Sequence, residues 1–276
     1  MTYAPIAKKA LLGRGLGWPA AFFSLIVALS AGFFLVPGGI EGKALAVLHG
    51  LCAQQPHHSL YFGEQRLPFD SRMTGIYGGF TVTVLYLIAR GRWRTGGIPT
   101  AIPGITLLAG VAALGFDGVN STLDDIGLWH LYTPMNELRL ATGLMLGMAL
   151  ATFVWLLVNQ IAFSERITRK GSIWPGVGDF LGCIFCQLAF AAVVLTRWEP
   201  LRVPLSFLLI WSAIAAVGGL LIGLIIMYRR TENQAVKTAD LARPATVALI
   251  WAIIFMAVLS GGRFLLEAYS GISTTT

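Results

Sequence analysis

The sequence predicts an all-α fold, a polytopic transmembrane bundle of about seven spanning helices with a cytoplasmic N-terminus. Three observations predict it. The 276 residues are 56% hydrophobic and only 12% charged, whereas soluble domains carry about a quarter charged residues. Mean hydropathy is +0.72. The apolar residues also gather into stretches fit to cross about 30 Å of hydrocarbon, which takes about 20 residues of helix. These figures exclude a disordered chain, which is poor in apolar residues. Three cysteines in 276 residues exclude a disulfide-stapled secreted module.

Seven stretches qualify, at about 18–37, 74–88, 99–116, 135–163, 177–196, 203–228 and 244–266. The second is the shortest. The fourth is the longest and is expected to tilt or to project beyond the lipid. The spans take up well over half of the chain, so 1–276 reads as one integral membrane domain. Lys8, Lys9 and Arg14 before the first run resemble the start of a signal peptide. That run exceeds a secretory apolar core, so a retained first helix is expected. The tail 270–276 is polar and expected to fray. Between the first two spans, 40–51 is apolar apart from Glu41, Lys43 and His49, which predicts a short helix lying in the interface.

With the N-terminus inside, the cytoplasmic segments hold thirteen Lys and Arg and the opposite side seven. The positive-inside rule then places the C-terminus outside. Loops 38–73 and 117–134 become extracytoplasmic, and the expected setting is the cytoplasmic (inner) membrane of a prokaryote. The net charge of +7 is no nucleic-acid signal, because the bases are scattered and no dense basic run interleaves with aromatics. Anchoring to anionic headgroups explains them, which makes lipids the first expected partners. Trp18, Trp93, Trp174 and Trp198 fall at predicted helix ends, where aromatic anchors belong. Small-residue pairs four apart, Gly75/Gly79, Gly143/Gly147, Gly178/Gly182 and Gly219/Gly223, predict close backbone approach between helices. They leave a homo-oligomer open.

The connection between the first two spans is the richest in chemistry. It carries Cys52, Gln54, Pro56, His57, His58, Ser59, Gly63, Pro68, Asp70, Arg72 and Met73, then Thr74-Gly75-Ile76-Tyr77. A second group follows the third span: Asp117, Gly118, Asn120, Ser121, Asn136, Arg139, Thr142 and Gly143. Together, over about 48–147, these resemble the membrane family known only as domain of unknown function 2085. The family pattern is Cys-His-Gln, then Pro-x-Arg-Ser, then Pro-x-Cys-x-x-Cys-Thr-Gly-Ile-Tyr. This chain departs from it at Ala53, His58, Asp70 and Met73. The resemblance implies a metal or disulfide site in that loop, of which only Cys52 remains here. A remodelled set of Cys52, His57, His58, Asp70 and Met73 offers thiol, imidazole, carboxylate and thioether, a mixture that suits copper better than magnesium or calcium, with copper or zinc as the candidate metal. The other reading is a hydrogen-bonded loop whose ligands have decayed, with no cofactor, and it is the one expected.

Asp117 closes the predicted third span and Arg139 opens the fourth, at the membrane level of Thr74 and Tyr77. Charge at that depth demands pairing. Asp117 with Arg139 is the expected pair, with Asn120 and Asn136 serving the remaining donors and with Arg72 and Tyr77 nearby. This group reads either as a brace between helices or as a pocket for a small polar ligand, over which His130 could close. Cys183 and Cys186 form Cys-x-x-Cys inside an apolar helix, where thiols stay protonated and pack as small residues. Gln187 beside them is expected to hydrogen-bond across helices. Asp179 opens the predicted fifth span, where a carboxylate favours a helix N-terminus. Arg263 and Glu267 stand four apart and are expected to pair.

The chain holds no Walker loop, Rossmann fingerprint, His-Glu-x-x-His or Gly-x-Ser-x-Gly. Relative to the family pattern the loop drops its reactive cysteines while keeping glycine and proline, so the expected role is a non-enzymatic accessory or structural subunit of a membrane complex, with other membrane subunits as partners. The rival is a membrane enzyme or metal-handling protein using Cys52, His57, His58, Asp70, Asp117 and Arg139. A third reading is a small-solute transporter. All of them need 52–77 and 117–139 to meet on one surface.

Overall fold

The computed structural model describes residues 17–270. Lys8, Lys9 and Arg14, and the tail beyond Ser270, lie outside the described residues. The elements run α1 (Gly17–Leu35), α2 (Ile40–Leu48), β1 (Ser59–Phe62), β2 (Gln65–Asp70), α3 (Ser71–Ala89), β3 (Thr95–Gly97), α4 (Ala101–Asp125), α5 (Asn136–Ala162), β4 (Arg169–Ser172), α6 (Val177–Leu195), α7 (Arg202–Tyr228) and α8 (Ala242–Ser270).

The all-α bundle is as predicted, with two small β ladders added in its connections. Among the described residues, six helices are long and apolar enough to cross a membrane: α1 and α4 through α8. The second predicted span, α3, falls short. It carries Thr74, Tyr77, Thr81, Thr83, Tyr86 and three glycines, and nine of its residues are buried. The buried face of α3 packs against protein, so less of this helix needs to present an apolar surface to lipid, although Leu85 and Ile88 remain exposed.

What covers that face is chiefly α5. A Cβ on Gly75 or Gly79 would overlap the α5 backbone at Leu140 and Leu144, and one on Gly143 or Gly147 would overlap the α3 backbone at Arg72 and Ile76. The two predicted glycine pairs thus face each other in one backbone-to-backbone crossing, the contact through which membrane helices gain packing energy. The other pairs do less. Gly182 accommodates the Tyr86 ring, Gly219 takes Val154 and Gly223 takes Leu157, while Gly178 meets nothing. Gln187 Nε2 donates to the Gly79 carbonyl (2.9 Å) and to Thr83 Oγ1 (2.8 Å), joining α6 to α3. Cys183 is buried and donates to Thr83 Oγ1, and both cysteines of that pair are reduced.

Strictly alternating helices bring two sets of connections to opposite ends. One end carries α2 and the β1–β2 hairpin; the other carries the parallel β3–β4 ladder. The hairpin turns at Gly63, whose φ of +66° suits the first central position of a two-residue turn. Leu60, Phe62, Leu67 and Phe69 of its strands are buried in one core cluster with residues of α2 and α7. Asp70 ends β2 and caps α3, accepting the Met73 amide at 2.8 Å.

Trp174 corrects an expectation. It is fully buried, and its indole donates to Thr152 Oγ1 at 3.0 Å. An internal hydroxyl supplies the partner that an interfacial indole would find among headgroups, so this tryptophan wedges helices together. Trp198, by contrast, is well exposed.

Candidate functional site

The third predicted span ended at Asp117, but α4 continues to Asp125 and stops at Gly127. There φ is +71°, and the Leu128 amide reaches back to the Leu123 carbonyl, a Schellman closure. The two added turns, about 12 Å at 1.5 Å per residue, change the site. Asp117, Asn120 and Ser121 fall on one helical face, and all three are buried.

The partner of Asp117 is Arg72, not Arg139. Arg72 Nη2 donates to Asp117 Oδ2 at 2.6 Å and to Ser121 Oγ at 3.0 Å. The Asp117 side chain is only 2% exposed. Its other oxygen accepts the Tyr132 hydroxyl at 2.8 Å, and Thr142 Oγ1 lies 3.4 Å from Oδ2. Arg139 reaches Ser121 Oγ (3.4 Å) and Asn136 Oδ1 (3.3 Å) instead. The α3–α5 crossing decides this exchange, because it brings the first turn of α3 against α5 and aims Arg72 at α4.

Asn120 does not serve leftover arginine protons. Its Oδ1 accepts the Leu131 amide at 2.8 Å, and its Nδ2 donates to the Tyr132 carbonyl at 2.8 Å. Asn120 therefore fixes the backbone of the α4–α5 connector, and Tyr132 of that connector anchors on Asp117. Burial first, and then the Asp117 carboxylate, pushes the Tyr132 hydroxyl up to about 12, which keeps it a donor. Asn136 donates to the His57 carbonyl (3.1 Å). Tyr77 stacks on Phe69, ring centroids 4.8 Å apart, and stands aside from this network. His130 pairs with Asp124 at 3.5 Å and lies 3.2 Å from the Leu128 carbonyl.

The five residues of the expected metal loop divide. Cys52 is buried and donates to Asp70 Oδ2 at 3.2 Å, while its sulfur accepts the Gln54 amide. Burial, and then the Asp70 charge, pushes the thiol up to about 12, so it remains protonated at neutral pH. The Met73 amide donates to the Asp70 cap and its side chain packs against the core. His57 and His58 turn to a different carboxylate, Asp125, at 3.7 and 3.1 Å. Among the described residues, His57, His58 and Asp125 are the group with a geometry able to hold an ion, and Cys52 and Asp70 are outside it.

Sequence reasoning placed Ser121 in the second group without giving it a role, and missed Tyr132 and Asp125 as members of the site. It also missed His49, which is buried between Gln54 Oε1 and Glu267 Oε2, both at 3.0 Å. Arg263 pairs with Glu267 as expected (2.9 Å) and also donates to the carbonyls of His49, Cys52 and Ala53.

This geometry coincides with a family boundary. The family model DUF2085, predicted membrane protein, matches residues 52–153. That segment is similar to this family. It spans the hairpin, α3, α4 and most of α5, the elements that build the network around Asp117. No curated protein and no solved structure matches the chain. Family and apolar helices together make this a helical membrane protein.

Proposed function

We propose that the protein is a non-enzymatic subunit of a membrane complex that docks a partner protein through its α4–α5 connector, 126–135. One observation carries this. Trp129 is 80% exposed and Leu128 and Leu131 more than half exposed, yet the backbone beneath them is held by Asn120 and Tyr132. A rigid, exposed aromatic flanked by aliphatic side chains is the usual anchor of a protein interface, and an apolar patch of this kind on a folded surface marks a contact site.

The polar network supports the non-catalytic part of the reading. Asp117 is saturated by Arg72, Tyr132 and Thr142, and the Cys52 thiol is held protonated, so neither is poised as base or nucleophile. In the proposed setting, a prokaryotic cytoplasmic membrane with the hairpin end extracytoplasmic, the connector lies at the outer interface, where a neighbouring subunit can reach it.

The test is photo-crosslinking from position 129 in native membranes, together with mild-detergent purification of wild type and Trp129→Ala/Leu131→Ser. The expected result is one stoichiometric protein partner, crosslinked at 129 and lost from the double variant, whose melting temperature stays at the wild-type value. Crosslinks to lipid alone, with the variant purifying as wild type does, would assign the connector to headgroup anchoring and end the proposal.

A further inference from the structure

His57 and His58 lie in one turn of 3-10 helix, Pro56–His58. Consecutive side chains of such a turn diverge by about 120°, so two neighbouring imidazoles do not converge without support from outside. Here they do, with ring centroids 4.0 Å apart. The support is visible in the backbone. The His58 carbonyl accepts Ser71 Oγ at 2.7 Å, the His57 carbonyl accepts Asn136 Nδ2 at 3.1 Å, and Ser59 Oγ donates to the Gln55 carbonyl at 2.8 Å. Three elements thus hold the turn in place. Facing it, the last residue of α4 supplies Asp125, with Oδ1 at 3.1 Å from His58 Nε2 and 3.7 Å from His57 Nε2.

All three ligand atoms lie within 4.8 Å of one another. Around a tetrahedral zinc with bonds of about 2.0–2.1 Å, ligand atoms stand about 3.3 Å apart. The observed separations bracket that spacing, and small side-chain rotations bring the three donors to it. Two imidazoles and one carboxylate are the ligand types that borderline transition metals prefer over magnesium or calcium.

We propose that His57, His58 and Asp125 bind one divalent transition metal of the zinc class, leaving a fourth position open to water. His57 is exposed and offers the entry path, while His58 is buried and offers the fixed wall. The ligand set differs from the one the sequence suggested. Cys52 and Asp70 are bonded to each other, and Asp125 enters because α4 is two turns longer than predicted. This assignment stands independently of the docking role of the connector.

The experiment uses the full chain, purified in detergent on a histidine-free tag and stripped with chelator. Zn(II) is titrated by calorimetry and Co(II) by visible absorption. The expected result is one Zn(II) per chain and the intense visible bands of four-coordinate Co(II). His57→Ala, a change at an exposed side chain, and Asp125→Asn each weaken binding by more than about tenfold, with the stripped proteins melting as the stripped wild type does. Wild type that retains no Zn(II) at equimolar metal overturns the site, and so does unchanged affinity in both variants.

Discussion

Each end of the bundle is tied by an aspartate against arginine, and the two ties are built differently. At the hairpin end, Asp117 is 2% exposed, takes one arginine and draws its other donors from a tyrosine and a threonine. At the β3–β4 end, Asp179 is 17% exposed and takes two arginines. Arg90 donates to Oδ1 through Nε (2.9 Å) and Nη2 (2.7 Å), and Arg92 donates to Oδ2. The first carboxylate lies two turns inside α4, while the second lies in the first turn of α6, where water and the helix dipole both support it. The difference teaches that an ion pair's structural weight depends on what remains when one partner is removed. Asp117 without Arg72 is a buried charge lacking a cation; Asp179 without Arg90 still has Arg92 and solvent.

The largest expected effect follows directly. Arg72→Met should destabilise the protein by about 3–5 kcal/mol, the usual cost of breaking one side of a buried pair. A thermal melt in detergent measures it. Adding Asp117→Asn to Arg72→Met should recover most of the loss, since the neutral amide no longer needs a cation. If the single variant melts as wild type does, the two ends are equivalent and the contrast between them disappears.

The sequence carried the parts of this arrangement that depend on local pattern. Hydropathy marked the helices, and Gly75/Gly79 and Gly143/Gly147 marked a close crossing, because a small residue every fourth position is itself the contact surface. Gln187 and the Arg263–Glu267 pair were legible for the same reason. What failed depended on rotation and on length. Asp117, Asn120 and Ser121 look like the polar end of a span, and a triad spaced i, i+3, i+4 reads equally as a helix face turned toward protein. Choosing the first reading shortened α4 by two turns, removed Asp125 from the site, and left Arg139 as the nearest cation in sequence. The choice of Arg72 follows from how α3 and α5 are rotated against each other, and four glycine contacts settle that without any charge pattern to reveal it. Trp174 failed similarly, because its distinguishing partner, Thr152, is distant in sequence.

A middle-sized effect sharpens the comparison at the hairpin end alone. Tyr132→Phe removes one hydrogen bond to a carboxylate while keeping the ring. The expected cost is about 1.5 kcal/mol, the lower range for hydrogen bonds to charged groups, as the tyrosine is only half-buried. Because Tyr132 also tethers the connector, hydrogen–deuterium exchange across 126–135 should quicken in this variant and stay slow elsewhere. Unaltered exchange there would mean that Asn120 alone holds the connector, leaving Asp117 as a helix brace without influence on the exposed Trp129.

The smallest expected effect belongs to the other end. The Arg90 side chain is 54% exposed, and exposed ion pairs contribute little once side-chain entropy and screening are counted. Arg90→Ala should leave the melting temperature where a wild-type melt puts it, at low and at high salt alike. Arg92→Ala should be felt more, because Arg92 is largely buried and also donates to the Ile173 carbonyl at 2.6 Å, so its removal leaves an acceptor of the β4 connection without its donor. The order Arg72, Tyr132, Arg92, Arg90 therefore follows the burial of the aspartate each side chain serves, Asp117 before Asp179, and at Asp179 the burial of the arginine, rather than charge count. Had the number of cations around each aspartate set the stability instead, Asp179 with its two arginines would be the stronger tie, and the Arg90 variant would fall below the Tyr132 one.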